Sequence, residues 1–367
     1  MFLTRIKISN FRNIEEMELS PQPSVNLITG PNGSGKTSIL EAIFCCCTTK
    51  SFRYVSDSIM RRRDHDVCRL EINGVISGEE TGVALAWSKA EKKLVKVNGV
   101  KLPRLADLLL HFHAVSFIPE DSDLVLGAPS LRRRLLNLAI CQADRSYIVD
   151  LIEYHKIISQ RNALLKEFCL DEDNDTHLEM LNLWDEQLSQ VGGRIIGKRL
   201  ELVNMNRGKL QDYYKSIAAA DSQLDWRYHS SFSLEDDVEG SLLAGLRLSR
   251  RRDLHFGFTS VGPHRDDLLI DLDDVTTRGY ASQGEAKSIA LAIMFTIYDY
   301  LTDKLGAPPI LLLDEVSAQL DADRLNSLLN ILPRLGQVFL TSSRPADIKK
   351  SALIQAEMKI DQGRLVT

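Results

Sequence analysis

Residues Gly30 to Thr37 read GPNGSGKT, a complete GxxxxGK[ST] pattern. Glycines at this spacing let backbone N–H groups turn inward around phosphate oxygens. Lys36 brings a point charge to the β- and γ-phosphates, and the Thr37 hydroxyl is a hard oxygen ligand suited to Mg²⁺. The expected nucleotide contacts are therefore Gly30, Pro31, Asn32, Gly33, Ser34, Gly35, Lys36, Thr37 and Ser38. A second stretch, ILLLDE, ends an apolar run in two carboxylates. Asp314 is placed to hold the metal, and Glu315 to orient and deprotonate an attacking water. The bland alternatives are a chance glycine turn and a capped strand end. They weaken when the two stretches occur together. ATP and Mg²⁺ are the expected cofactors, with Glu315 and Lys36 the expected catalytic pair.

These groups work only if flanking elements hold them. VNLIT precedes the glycine loop as a short strand. A helix over about 36 to 47 follows it, with Ile39, Leu40, Ile43, Phe44 and Cys47 on one face; its N-terminus adds a favourable dipole for anions. PPILLLDE and QVFLTSS read as buried parallel strands, with a helix at about 322 to 332 between them. Upstream, YASQGEAKS opens a helix whose Ile289, Ile293, Ile297 and Leu301 form one stripe. The two halves of the phosphate site lie at opposite ends of the chain. The pattern predicts an α/β P-loop core built from both chain ends, with a large insertion.

The remaining N-terminal stretches LTRIKI, VCRLEINGVISG, GVALAWS and KLVKVNGVKL read as strands broken at Asn-Gly or Ser-Gly. From about 119 to 252 the texture becomes helical, interrupted by an acidic loop at LDEDNDTHLE; DLLIDLDD is a later strand candidate. The expected division is a head of 1–115 plus 254–367 and a mainly helical insertion of 116–253.

The chain has 367 residues, is 44% hydrophobic and 26% charged, and carries a net charge of −5. That composition suits a globular protein with real cores. No run of 18 apolar residues is present, and MFLTRIKISNF lacks a signal-peptide core, so a membrane role is not expected. Six cysteines, three of them consecutive, show no metal spacing and suit reduced thiols in the cytoplasm. Basic clusters interrupt the acidic whole. Arg61, Arg62 and Arg63, and the run from Arg247 through Arg250, Arg251 and Arg252, are the preferred candidates for nucleic-acid phosphates, against the alternative of solvated faces. His264 and Arg265 could touch nucleotide or DNA, or simply close a turn.

The order ASQGE, ILLLDE, SAQLD resembles the signature loop, acidic strand and D-loop of ABC-type ATPase heads. IKISNFRNIEEMEL resembles the opening of SMC-type and RecF-type ATPases. KSFR at 50–53, PEDSDLVLGAPSLRRRLLN at 119–137 and TSVGPHRDDL at 259–268 are similar to stretches of the RecF recombination-mediator family. The resemblance runs from residue 2 to about 363. It implies an ABC-type head and a DNA-binding protein that dimerises on ATP and hydrolyses it slowly. It also implies action with RecR and RecO to place RecA at gapped or junction DNA in repair, replication restart and the SOS response. By the same resemblance, Ser282, Gln283, Gly284 and Asp321 would meet the nucleotide of a second copy, and Arg12 would reach bound phosphates. The chain departs from the family pattern at Glu285, Gln319, Glu315 and Leu135. It lacks a switch histidine in FLTSSRP and has Glu120 near a missing Q-loop glutamine. Two other readings are a transporter nucleotide-binding subunit and an overcoming-lysogenisation-type ATPase.

Overall fold

The computed structural model describes residues 1–53, 55–168, 175–218, 220–349 and 354–366. The chain divides into two compact units. Met1–Val125, Asp212–Asp221 and Ala281–Thr367 form the first, and Leu126–Gln211 and Ser222–Tyr280 the second. Residues 254–280, expected in the head, thus lie in the second unit.

The first unit opens with β1 (Phe2–Phe11), β2 (Ile14–Leu19), β3 (Val25–Thr29), α1 (Lys36–Thr48), β4 (Val67–Ile76), β5 (Glu79–Ser88), β6 (Leu94–Val97), β7 (Val100–Lys101) and β8 (Ala114–Phe117). An antiparallel sheet runs in the order β2-β1-β4-β5-β6-β7. Its hairpins turn at Ser77-Gly78 (φ 50° and 88°) and Asn98-Gly99 (φ 49° and 79°). Left-handed pairs of this kind match strand twist. Asn73-Gly74 makes no turn and stays inside β4, where a Cβ on Gly74 would lie 2.3 Å from the Phe2 carbonyl. Glycine is there because β1 comes too close. Helix α1 is also not one-faced: Ile39 through Thr48 are buried all round, Glu41 included.

The second unit comprises α2 (Pro129–Ala143), α3 (Arg145–Phe168), α4 (Asp175–Met205), the start of α5 (Arg207–Ala218), β9 (Leu224–His229), α6 (Val238–Phe256), β10 (Asp267–Leu272) and β11 (Val275–Thr276). It is not purely helical, because β11-β10-β9 form a three-stranded sheet. The expected acidic loop is partly helix, since α4 begins at Asp175; residues 169–174 lie outside the described residues. Leu135 is buried on α2.

The chain then returns to the first unit with α7 (Gln283–Leu305), β12 (Ile310–Leu313), α8 (Ala322–Ile331), β13 (Val338–Ser342), β14 (Ala356–Asp361) and β15 (Arg364–Val366). The second sheet of this unit is ordered β15-β14-β3-β13-β12-β8. All its pairings are parallel except β14 with β15. β3 and β13 are buried at every residue, the mark of a sheet covered on both faces. In α7 the stripe Ile289, Ile293, Ile297 and Leu301 is fully buried. Burial of such side chains contributes roughly 1.5–3 kcal/mol each. The register Leu340↔Leu27 and Leu312↔Phe339 brings the C-terminal end of β3 beside those of β13 and β12. Ligands of open α/β sheets gather outside these strand ends.

Candidate functional site

β3 delivers the loop 30–35, and α1 begins at Lys36 behind it. Gly30, Gly33 and Gly35 have φ of 153°, 77° and 113°. A Cβ on Gly30 would sit 2.0 Å from the Ile360 carbonyl and 2.8 Å from Ser34 Oγ. The loop is anchored outside as well: Gly363 N–H donates to Ser34 O at 2.7 Å, and Asn13 Nδ2 donates to Gly33 O at 2.9 Å. Asn13 Oδ1 accepts from Ser38 Oγ at 3.0 Å.

Lys36 is only 4% exposed. Its Nζ donates to Gly30 O at 2.9 Å and Pro31 O at 3.1 Å, and lies 2.9 Å from Glu315 Oε1. The Thr37 hydroxyl lies 2.9 Å from both Asp314 oxygens, and Thr341 Oγ1 donates to Asp314 Oδ1 at 2.7 Å. Glu315 takes a left-handed φ of 48°, where its N–H donates to Thr341 Oγ1 at 2.8 Å. Its Oε2 accepts from the Ser343 N–H and hydroxyl, both at 3.0 Å. Burial raises the Asp314 carboxyl above its ordinary value, with Thr341 and Thr37 offsetting part of that. Burial also acts to raise Glu315, but Lys36 and Ser343 together hold it below the usual value.

Of these residues, Gly33, Gly35, Lys36, Thr37, Ser38 and Glu315 line a cavity of about 940 Å³ together with Arg12, Asn13, Arg53, Arg61, Arg62 and Arg63. That is the upper range for a cofactor pocket. A nucleoside triphosphate fits this donor set. The loop's glycines leave room for its oxygens, and Ser34 Oγ is buried without a partner among the described residues. Mg²⁺ fits as well. No cluster of three His, Cys, Asp or Glu suited to a metal occurs among the described residues. Mg²⁺ bound to phosphates keeps several waters and needs only one or two carboxylates; Thr37 and Asp314 supply adjacent oxygens.

Arg12 lines the cavity but forks onto buried Glu41, with Nε at 2.8 Å and Nη2 at 2.5 Å. Ser51 also donates to Glu41. Arg61, Arg62 and Arg63 face the nucleotide cavity, so they do not form a separate patch. Arg61 donates to the His65 carbonyl, Arg62 to Asn13 O at 2.9 Å, and Arg63 is exposed. The other cluster divides. Arg250 is committed to Asp185 at 2.5 Å and Asn182 at 2.8 Å, beside the buried Arg161–Asp185–Asp253 network. Arg251 and Arg252 are exposed.

Ser282 caps α7. Its hydroxyl accepts from Glu285 N–H at 3.2 Å, while the Glu285 carboxylate accepts from Ser282 N–H at 2.8 Å. The unusual Glu285 thus completes a capping box. Ser282 and Gln283 are exposed. Arg324 Nη1 donates to Gly284 O at 3.2 Å and pairs with Asp321 at 3.4 Å, so signature turn and D-loop are joined. Asp321 also caps α8. None of Ser282, Gln283, Gly284 or Asp321 lines the chain's own nucleotide cavity. The Gln319 side chain lies outside the described ones. His264 is enclosed between Tyr154 Oη at 2.7 Å and the Thr259 carbonyl at 3.1 Å, and burial pushes it down to about 4.

Sequence reasoning missed Asn13, Thr341 and Ser343. The only available signal was their position, Asn13 in NFRN and the other two at the end of a buried strand. Thr341 and Ser343 stand in FLTSSRP, which lacks a switch histidine, and bind the two carboxylates instead.

The pattern of the family described as RecF/RecN/SMC N terminal domain matches residues 2–364. The chain is 32% identical to a DNA replication and repair protein RecF of Clostridium acetobutylicum, covering 100% of this chain and 99% of that protein. It is 35% identical to a protein of the same description from Agathobacter rectalis, covering 90% of each. A solved structure of the recombination mediator protein RecF with ATP, described as part of the RecFOR pathway, superposes with a TM-score of 0.90 at 29% identity. That match covers 100% of this chain and 97% of the other.

Proposed function

The chain belongs to the RecF family, within the RecF/RecN/SMC N-terminal grouping, and on that premise we propose that it is an ATP-switched recombination mediator acting on DNA. It is an ABC-type ATPase head in fold. The observation that carries the nucleotide chemistry is the adjacency of Lys36 to Glu315 and of Thr37 to Asp314 at the mouth of one glycine loop.

A Mg²⁺ ion held at Thr37 and Asp314 would supply neutralisation of the phosphate charge. Thr37 and Asp314 hold its place. The loop amides and Lys36 bind and orient the triphosphate. Glu315 positions water at the γ-phosphate. Ser343, whose N–H and hydroxyl both donate to Glu315 Oε2, fixes the orientation of that carboxylate. Ser282, Gln283, Gly284 and Asp321 form a second set of contacts. They stand exposed, or joined through Arg324, outside the chain's own cavity, and we assign them to the nucleotide of a second copy. We propose an ATP-dependent homodimer; the RecFOR pathway named for a RecF relative suggests RecR and RecO as partners, and RecA is our own addition to them. Among the described residues no helix is long and apolar enough to cross a membrane; we place the protein in the cytoplasm. A transporter subunit is disfavoured by the full-length match to RecF proteins.

Fluorescent-nucleotide titration of Lys36→Ala tests the site. The variant should lose ATP binding while keeping its fold; retained affinity would overturn the assignment.

A further inference from the structure

Glu41 is a buried carboxylate that the nucleotide chemistry does not use. It stands early in α1, on the helix that begins with Lys36, and is 0% exposed. An isolated charge at such depth is strongly unfavourable. Glu41 is matched instead from two directions. Arg12 forks onto it, Nε donating to Oε2 at 2.8 Å and Nη2 to Oε1 at 2.5 Å. The hydroxyl of Ser51, itself 1% exposed, donates to Oε1 as well.

Both partners belong to segments that wall the nucleotide cavity, although Glu41 itself does not line it. On one side stand Arg12 and Asn13. The Arg12 N–H donates to the Met60 carbonyl at 2.8 Å, and its Nη1 to the Ile59 carbonyl at 3.3 Å. Asn13 clasps the glycine loop at Gly33 O and accepts from the Ser38 hydroxyl. On the other side, Ser51 Oγ accepts from the Arg53 N–H at 2.9 Å, and Arg53 lines the same cavity. One carboxylate on α1 therefore ties the β1–β2 corner and the 51–53 segment to the helix that carries Lys36 and Thr37.

Stability alone does not call for charges here. Apolar side chains of similar volume often pack such a site as well or better. A forked guanidinium–carboxylate pair adds what they lack, a fixed direction. That matters at a binding site, because a wall left loose must be ordered by each incoming ligand, at the expense of affinity.

We infer that Glu41 is the positioning residue of the nucleotide cavity. It touches no ligand; through Arg12 and Ser51 it sets Arg12, Asn13 and Arg53 in place before nucleotide arrives. The inference rests on the nucleotide reading of the site and adds a residue to it.

The test uses the full chain and the variants Glu41→Gln and Ser51→Ala. Fluorescent-ATP affinity, melting temperature, and hydrogen exchange of the Arg12 and Arg53 amides with and without ATP are compared with the wild type. Glu41→Gln leaves Arg12 buried without its counter-charge, so it should melt lower and bind ATP about tenfold more weakly. Both amides should exchange faster in the nucleotide-free variant and regain protection at saturating ATP. Ser51→Ala leaves the Arg12 fork intact. It should speed exchange at Arg53 alone and weaken ATP binding while the melting temperature stays near that of the wild type. If Glu41→Gln does not fold, Ser51→Ala decides: weaker ATP binding with faster exchange at Arg53 supports the inference, and wild-type affinity overturns it. A Glu41→Gln chain that melts lower yet keeps wild-type ATP affinity and exchange at both amides would show a structural role only and overturn it. Failure of the wild type to bind ATP would count against the nucleotide reading; normal wild-type binding with indifferent variants would count against Glu41 alone.

Discussion

The Thr37 hydroxyl lies 2.9 Å from both carboxylate oxygens of Asp314, although 277 residues separate them in sequence. The contact exists because β3 and β12 both flank β13 in the parallel sheet, so the first turn of α1 meets the end of β12. Thr37→Ala removes one of the donors that offset the burial of Asp314. Loss of a donor to a buried charged group costs about 1–3 kcal/mol, and loss of an oxygen beside the metal about 10–100-fold in Mg²⁺ affinity. Calorimetric titration of Mg²⁺ with ATP present should show that fall, with a lower melting temperature in its absence.

Glu315→Gln tests the second carboxylate. The amide keeps the size but loses the charge beside Lys36 and the basicity needed at the water. Hydrolysis should fall by about 10²–10⁴-fold while ATP binding persists. In gel filtration with ATP and Mg²⁺ the variant should accumulate as a dimer. An unchanged turnover rate would remove Glu315 from the chemistry.

Gly30 and Gly33 differ in what surrounds them. At Gly30 an added Cβ meets a main-chain oxygen at 2.0 Å, which cannot swing away; at Gly33 nothing lies within 4 Å, and only the φ of 77° opposes a side chain. Gly33→Ala should cost about 1–2 kcal/mol. Gly30→Ala should cost more, and should abolish nucleotide binding. Urea denaturation and ATP titration of the pair check the order.

His264 gives a pH prediction. Its folded value is lowered to about 4, chiefly by burial, against an ordinary 6.5. The unfolded chain therefore binds the proton first as pH falls. The stability from neutral His264 is full above pH 6.5 and is lost as pH falls from there toward 4. The slope from this group is at most about 1.4 kcal/mol per pH unit. Denaturation midpoints of His264→Asn between pH 7 and 5 should fall less steeply than those of the wild type.

The glycine loop, the Asp314-Glu315 strand end and the alternation of strands and helices were legible because each is a local pattern. GPNGSGKT is one turn of backbone, and ILLLDE is one strand. The partners of those groups were not legible. Asn13 clasps the loop through Gly33, and Thr341 and Ser343 hold the carboxylates, but such contacts cross the sheet and leave no periodicity in sequence. The same holds for charge. Arg61 to Arg63 and Arg250 to Arg252 look alike as runs, yet the first lines the nucleotide cavity and Arg250 closes a buried ion network. Glu285 departs from the family signature in sequence, and only the fold shows its carboxylate accepting the Ser282 N–H.

The central claim is that one copy's signature turn meets another copy's nucleotide. Cysteine cross-linking between Gln283→Cys and Asn32→Cys chains, in the Glu315→Gln background, tests it directly. The five described native cysteines are buried and do not interfere. The account predicts an inter-chain disulfide that forms with ATP and Mg²⁺ and disappears when Lys36→Ala is added. ATP-loaded chains that bind nucleotide normally yet never cross-link at this pair would contradict it.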